Sequence, residues 1–186
     1  MPLVKTLLDD PNFLEFYVTA KKNTYAIGGD GKAETLRNGG KRYVFYDDAR
    51  WPQWRYTDIY HGNNPFFGNE TVEEIEGTTP SVWTPVARMS YHGFARGNHD
   101  QMKRMIAFLK KNLQQVSIQS LFRGPTEDSV LGDGLEYICQ WQRTDPFRVA
   151  GYEHIRENVL HPMTHWNVLR PMTHWHELSF QFCVLR

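Results

Sequence analysis

Three acidic residues stand where a carboxylate has to be accounted for. Asp58 lies in Trp54-Arg55-Tyr56-Thr57-Asp58-Ile59-Tyr60, whose alternation places Trp54, Tyr56, Asp58 and Tyr60 on one face of a strand. Glu70 and Glu136 each follow a glycine by two residues, in Gly68-Asn69-Glu70-Thr71-Val72 and Gly134-Leu135-Glu136-Tyr137-Ile138, so a Gly-x-Glu frame occurs twice. A carboxylate among apolar strand neighbours must find water, a hydrogen-bond partner or a ligand. If such a face lines a pocket, loss of solvent raises the carboxyl pKa and yields a general acid or base. Paired carboxylates would also suit glycoside chemistry. The competing reading is structural: Glu70 and Glu136 accept hydrogen bonds from Arg, Tyr or backbone groups inside the sheet. Arg123 serves as a counter-ion, an anion clamp or an ordinary loop arginine.

Other chemistries lack their signatures. There is no Gly-x-Ser-x-Gly elbow, and Cys139, between Ile138 and Gln140, reads as a buried strand thiol rather than a nucleophile. Gly28-Gly29-Asp30-Gly31 follows a helix and lacks a Gly-Lys-Ser/Thr ending, which makes it a turn and not a phosphate loop. Five of the eight histidines fall between His154 and His176. His161 and His165 have the spacing of one helix face, His174 and His176 that of one strand face, and Glu177 could join either pair on a metal. The simpler reading is a local duplication, since Pro162-Met163-Thr164-His165-Trp166 recurs as Pro171-Met172-Thr173-His174-Trp175. No metal and no cofactor is assigned.

The elements that must carry these residues are legible from periodicity and caps. Asp10 caps a helix with Pro11 in its first turn, and Phe13, Phe16, Tyr17 and Ala20 recur at helical spacing. Lys21 and Lys22 close it, complementing the helix dipole. A second helix over about 98–116 opens on an Asn98/Gln101 capping box and carries a stripe of Met102, Met105, Ile106, Leu109, Leu113 and Val116. Strands are expected near 42–46, 54–60, 70–76, 82–91, 135–142 and 147–155, with turns at 63–65, 77–80 and Asp145-Pro146. No parallel crossover pattern is visible, so the sheet is expected to be antiparallel.

Composition narrows the partners. The 186 residues suffice for one domain with a sizeable core, and 21 basic residues balance 21 acidic ones, leaving no electrostatic footprint for nucleic acid or an anionic membrane. Aromatic residues make up 14% of the chain, and its six Trp and nine Tyr have polar tips suited to pocket walls and interfaces. Cys139 and Cys183 read as reduced thiols, and neither a signal peptide nor a bilayer-length apolar run is present, so a cytoplasmic location is expected.

Several stretches carry a resemblance in the same order: 20–26 (Ala-Lys-Lys-Asn-Thr-Tyr-Ala), 56–62 (Tyr-Thr-Asp-Ile-Tyr-His-Gly), 66–72, 89–93 (Met-Ser-Tyr-His-Gly) and 134–138. Over about residues 7–155 the chain resembles a bacterial family of domains of unknown function, found alone or behind a helix-turn-helix segment. The resemblance implies a fold class and a shared polar surface, and no activity. The chain departs from the family pattern in two places. Trp83 lies six residues before Met89, and Tyr152-Glu153-His154-Ile155 lacks the glycine-rich close.

The expectation is therefore one α+β domain over 1–156, a curved antiparallel sheet packed by two main helices, followed by an extension over 157–186. The expected function is binding of a small polar or aromatic molecule in a sheet–helix pocket lined by Tyr56, Asp58, Tyr60, Glu70, Tyr91, Arg123 and Glu136. Two alternatives compete with it. One is an enzyme using Asp58, Glu70 and Glu136 for acid–base chemistry; the other is an interaction protein whose aromatics form a homo-oligomer interface.

Overall fold

Helix α1 (Pro11–Lys22) begins where Asp10 accepts the Asn12 amide at 2.9 Å and proline occupies the first turn. Its buried residues Phe13, Phe16, Tyr17, Ala20 and Lys21 form one stripe at helical spacing, and the stripe includes a lysine. A computed structural model of the chain describes residues 6–27, 33–62, 64–76, 82–126, 129–157 and 174–185. The glycine turn at 28–31, the hairpin turn at 77–80, the histidines His161 and His165 and most of the duplicated segment lie outside the described residues.

Nine described strands form one antiparallel sheet that α1 and a second helix accompany, an α+β arrangement in which the sheet dominates. In chain order they are β1 (Glu34–Thr35), β2 (Lys41–Tyr46), β3 (Trp54–His61), β4 (Phe66–Glu76), β5 (Val82–Ala95), β6 (Val130–Gly132), β7 (Leu135–Asp145), β8 (Arg148–Glu157) and β9 (His174–Val184), with α2 (His99–Leu113) between β5 and β6. The spatial order is β1-β2-β3-β4-β5-β9-β8-β7-β6. Two meanders, β1–β5 and β6–β9, thus meet edge to edge at β5 and β9, and β1 and β6 are the free edges.

The boundary expected at 156/157 falls at the end of β8, and the segment beyond it supplies β9. That strand pairs with β5 from Ala87↔Val184 to Ala95↔His176 and with β8 from Arg148↔Cys183 to Arg156↔His174. It is an inner strand, and its Leu178, Phe180, Phe182 and Val184 are buried.

One face of the sheet receives the helices. Phe16 packs against Phe45, Trp51 and Trp54, while Tyr17 meets Tyr56, Phe122 and Phe182 at ring separations of 5.7–6.4 Å. Helix α2 starts on the expected capping box, with Asn98 accepting from the Gln101 amide at 3.0 Å and Gln101 accepting from the Asn98 amide at 2.8 Å. It buries Met105, Phe108, Leu109, Asn112 and Leu113. Ile106, expected in the core stripe, is exposed instead, because the buried face is rotated towards Phe108 and Asn112. Cys139 and Cys183 are both free.

Removing residues 174–186 should leave β5 and β8 each unpaired along one edge and strip the core of Leu178, Phe180, Phe182 and Val184. The truncated chain is expected to lose its cooperative thermal transition in circular dichroism; a sharp transition within a few degrees of the full chain would contradict the inner position of β9.

Candidate functional site

Pairing across the inner face sets the site. Asp58 on β3 lies opposite Glu70 on β4, and Tyr60, Gly68 and Tyr91 form the next row on β3, β4 and β5. Gly68 is the gap in that row. A Cβ there would stand 2.4 Å from the Tyr91 ring and hydroxyl. With none present, the Tyr91 ring crosses β4 and its hydroxyl donates to Asp58 Oδ1 at 2.8 Å. Gly93 is the corresponding gap in the following row. Phe66 leans across it and stacks on His176 with centroids 5.5 Å apart and planes 7° apart.

Among the described residues three carboxylates are buried on this face: Asp58, Glu70 and Glu153. Glu70 is held by α1. Lys21 Nζ lies 2.7 Å from both of its oxygens and the Tyr17 hydroxyl donates at 2.8 Å. Lys21, expected to complement the helix dipole, is turned inward, and burial lowers its pKa against the support of Glu70.

Glu153 on β8 is the hub of a second cluster. Arg123 grips both of its oxygens at 3.1 and 3.0 Å, the Tyr137 hydroxyl donates at 2.7 Å and His176 Nε2 stands 2.9 Å away. Tyr137 on β7 and His176 on β9 both pair with Ile155, so each lies diagonally beside Glu153. Tyr137 also accepts from the Gly124 amide at 2.9 Å, which anchors the Arg123 loop. Burial raises the Glu153 carboxyl, but Arg123 and His176 outweigh it and hold the group well below the usual carboxylate range.

Asp58 behaves in the opposite way. Burial and the Glu70 charge push its carboxyl up to about 7, against the Tyr91 hydrogen bond and the more distant charges of Lys21 and Arg123.

Between α2 and the sheet lies a cavity of about 630 Å³. Asp58, Tyr60, Tyr91, Arg123 and His176 give it polar lining, and Phe66, Met102, Met105, Leu109 and Leu178 give it apolar walls. Tyr25, held through the Gln114–Ala26 hydrogen bond of 2.9 Å between α2 and the turn after α1, lines it too.

Of the seven residues expected to line a pocket, Asp58, Tyr60, Tyr91 and Arg123 meet in this cavity. Glu70 is buried behind it on Lys21, and Tyr56 is buried in the core against Tyr17. Glu136 stands elsewhere. It alternates with buried Leu135 and Tyr137, lies on the outer face and pairs with Arg156 on β8. The two Gly-x-Glu frames diverge because Gly68 lies within β4, whereas Asp133 and Gly134, with φ of 53° and 70°, form the turn between β6 and β7. The turn shifts the parity of the second frame by one residue. Alternation along β8 marks Glu153, which shares a face with Val149, Gly151 and Ile155. Tyr137 entered the sequence reading only within the second Gly-x-Glu frame, His176 only as half of a histidine pair on one strand face, and Lys21 only as a helix-end charge; none was expected at the site. Among the described residues no cluster of three or more His, Cys, Asp or Glu side chains is arranged to hold a metal.

Residues 58–162, more than half of the chain, match the family described as Domain of unknown function (DUF5680). The chain belongs to this family. The matched span contains Asp58, Glu70, Tyr91, Arg123, Tyr137 and Glu153, while their partners Tyr17, Lys21 and His176 lie outside it. No curated protein and no solved structure matches the chain.

The two buried acids predict opposite outcomes. Glu153→Gln leaves Arg123 buried without its counter-charge and should cost ~3–5 kcal/mol, read by urea denaturation at neutral pH. The wild-type contribution of Glu153 is present above the unfolded carboxyl pKa and is lost as pH falls below it towards the depressed folded value. Asp58 has a raised folded pKa, so its contribution is present below about pH 4 and is lost as pH rises to about 7. Asp58→Asn keeps an acceptor for Tyr91 and removes that loss. It should stabilise the protein by up to a few kcal/mol at pH ~8 and by little at pH ~4. Equal effects of this substitution at both pH values would refute the raised pKa.

Proposed function

We propose that this domain binds a small molecule in the cavity between α2 and the sheet. One observation carries the reading: about 630 Å³ of space in which Asp58, Tyr60, Tyr91, Arg123 and His176 converge among apolar walls. Sites for small molecules combine mostly apolar lining with a few placed polar groups, in this size range. The aromatics support a pocket over an interface, since among the described residues those with large exposed rings are Tyr46, Phe67 and Tyr152, and the cavity keeps Tyr25, Tyr60, Tyr91 and Phe66. The sheet that builds it is read as curving around this inner face. No described helix is long and apolar enough to cross a membrane, and the two free thiols fit a reducing, cytoplasmic setting.

A second reading has an observation of its own. A carboxyl pushed up to about 7 and facing a cavity is suited to general acid–base catalysis near neutral pH. Asp58 is the residue that would perform it. Glu70 is fully engaged by Lys21 and Tyr17, and Glu136 is on the other face, so among the described residues a two-carboxylate mechanism finds no second free group there.

Methionine-methyl NMR of the full chain tests the binding reading. In a fragment screen, hits should shift the Met102 and Met105 methyl signals, and Met102→Trp, which fills the cavity from a partly buried position, should weaken them at least ~10-fold with the fold intact. Hits that leave both methyl signals unmoved, or that bind the filled variant equally well, would rule the cavity out as the site.

A further inference from the structure

We propose that the cavity's ligand is a small organic cation, an ammonium group on an aromatic or alicyclic body, with Asp58 as its counter-ion. The inference rests on the binding reading above and adds the charge of the ligand.

The charge pattern of the inner face points to it. Glu70 has Lys21, and Glu153 has Arg123 together with His176 and Tyr137. Asp58 is equally buried, yet its hydrogen-bond donor among the described residues is the neutral Tyr91 hydroxyl. Lys21 and Arg123 are close enough to act on it through space, but both are committed to other carboxylates. Among the described residues, three buried carboxylates thus face two buried Lys or Arg side chains, and Asp58, which lines the cavity, is the carboxylate with neither of them as a hydrogen-bonded partner. An uncompensated buried charge is costly, and a cation brought by a ligand removes that cost.

The walls suit such a group. Tyr25, Tyr60, Tyr91 and Phe66 line the same space, and aromatic faces attract cations. Two of these rings already receive cations from the chain itself: Lys110 Nζ stands 4.9 Å from the Tyr25 ring and the Arg123 guanidinium 5.7 Å from the Tyr91 ring. Met102, Met105, Leu109 and Leu178 offer an adaptable apolar bed for the body of the ligand. Lys110, His99 and Arg123 also line the cavity and are the groups an anion would choose, so the sign of the ligand charge is open to direct measurement.

The experiment uses matched triplets: phenethylamine, 2-phenylethanol and phenylacetate, with the cyclohexyl counterparts of each. Affinities for the full chain are measured at pH ~8 by calorimetry and by the Met102 and Met105 methyl shifts. The amine is expected to bind at least ~10-fold more tightly than the alcohol, and the carboxylate more weakly than both. Asp58→Asn should erase the preference for the amine while the alcohol binds as before. Equal binding of amine and alcohol, or preference for the carboxylate, would overturn the cation assignment and leave the cavity as a binding site. Failure of all six probes to move either methyl signal would overturn both readings. Should Asp58→Asn fail to fold, the wild-type ranking decides the question alone.

Discussion

Burial of carboxylates on the inner face is the constraint around which this sheet is organised. An ionised carboxylate cannot be taken from water without partners. Glu153 meets that demand by drawing together three strands and a loop: Tyr137 from β7, His176 from β9, its own β8, and Arg123. The cluster ties the second meander to the segment that follows α2, and so sets where α2 lies over the sheet. Glu70 does the corresponding work for α1 through Tyr17 and Lys21. The helices are therefore located by charge as well as by their apolar stripes, and the cavity is the space left between these two anchored elements.

Glycines on the same face decide what that space contains. In the row Tyr60, Gly68, Tyr91, Phe180, Gly151, Trp141, the absent side chains let neighbouring rings lie across the strands. A Cβ at Gly151 would stand 2.4 Å from the Phe180 ring, as one at Gly68 would from Tyr91. The aromatics are thereby laid flat over the sheet, and a phenol hydroxyl from β5 can reach an aspartate on β3. Packing and electrostatics share one device here, because the gap that admits Tyr91 also fixes the environment of Asp58.

The late arrival of β9 has a consequence for assembly. The two meanders contain only local pairings, but their junction joins β5 to a strand about eighty residues later in the chain. His176 comes with that strand, so the Glu153 cluster is complete only when the junction is made. The polar cluster and the closure of the sheet are expected to form together.

The sequence alone determined what local chemistry determines. Caps and spacing located α1 and α2, alternation located β2, β3, β4, β5, β7 and β8, and the lack of crossover units implied antiparallel pairing. Alternation also placed Asp58 with Tyr56 and Tyr60, and the Gly-x-Glu frame marked Glu70 as a carboxylate needing a partner. Which partner it finds is a long-range matter: Lys21 lies 49 residues away, and by local rules it is a surface lysine at a helix end. The same holds for Glu153 and His176, whose meeting depends on β9 entering the middle of the sheet. The Glu136 frame shows the limit of pattern without register, since a two-residue turn reversed the face of an identical motif. Tertiary structure decided which buried charges are paired and which one is left facing the cavity, because Coulomb energy depends on distances that the order of residues along the chain does not contain.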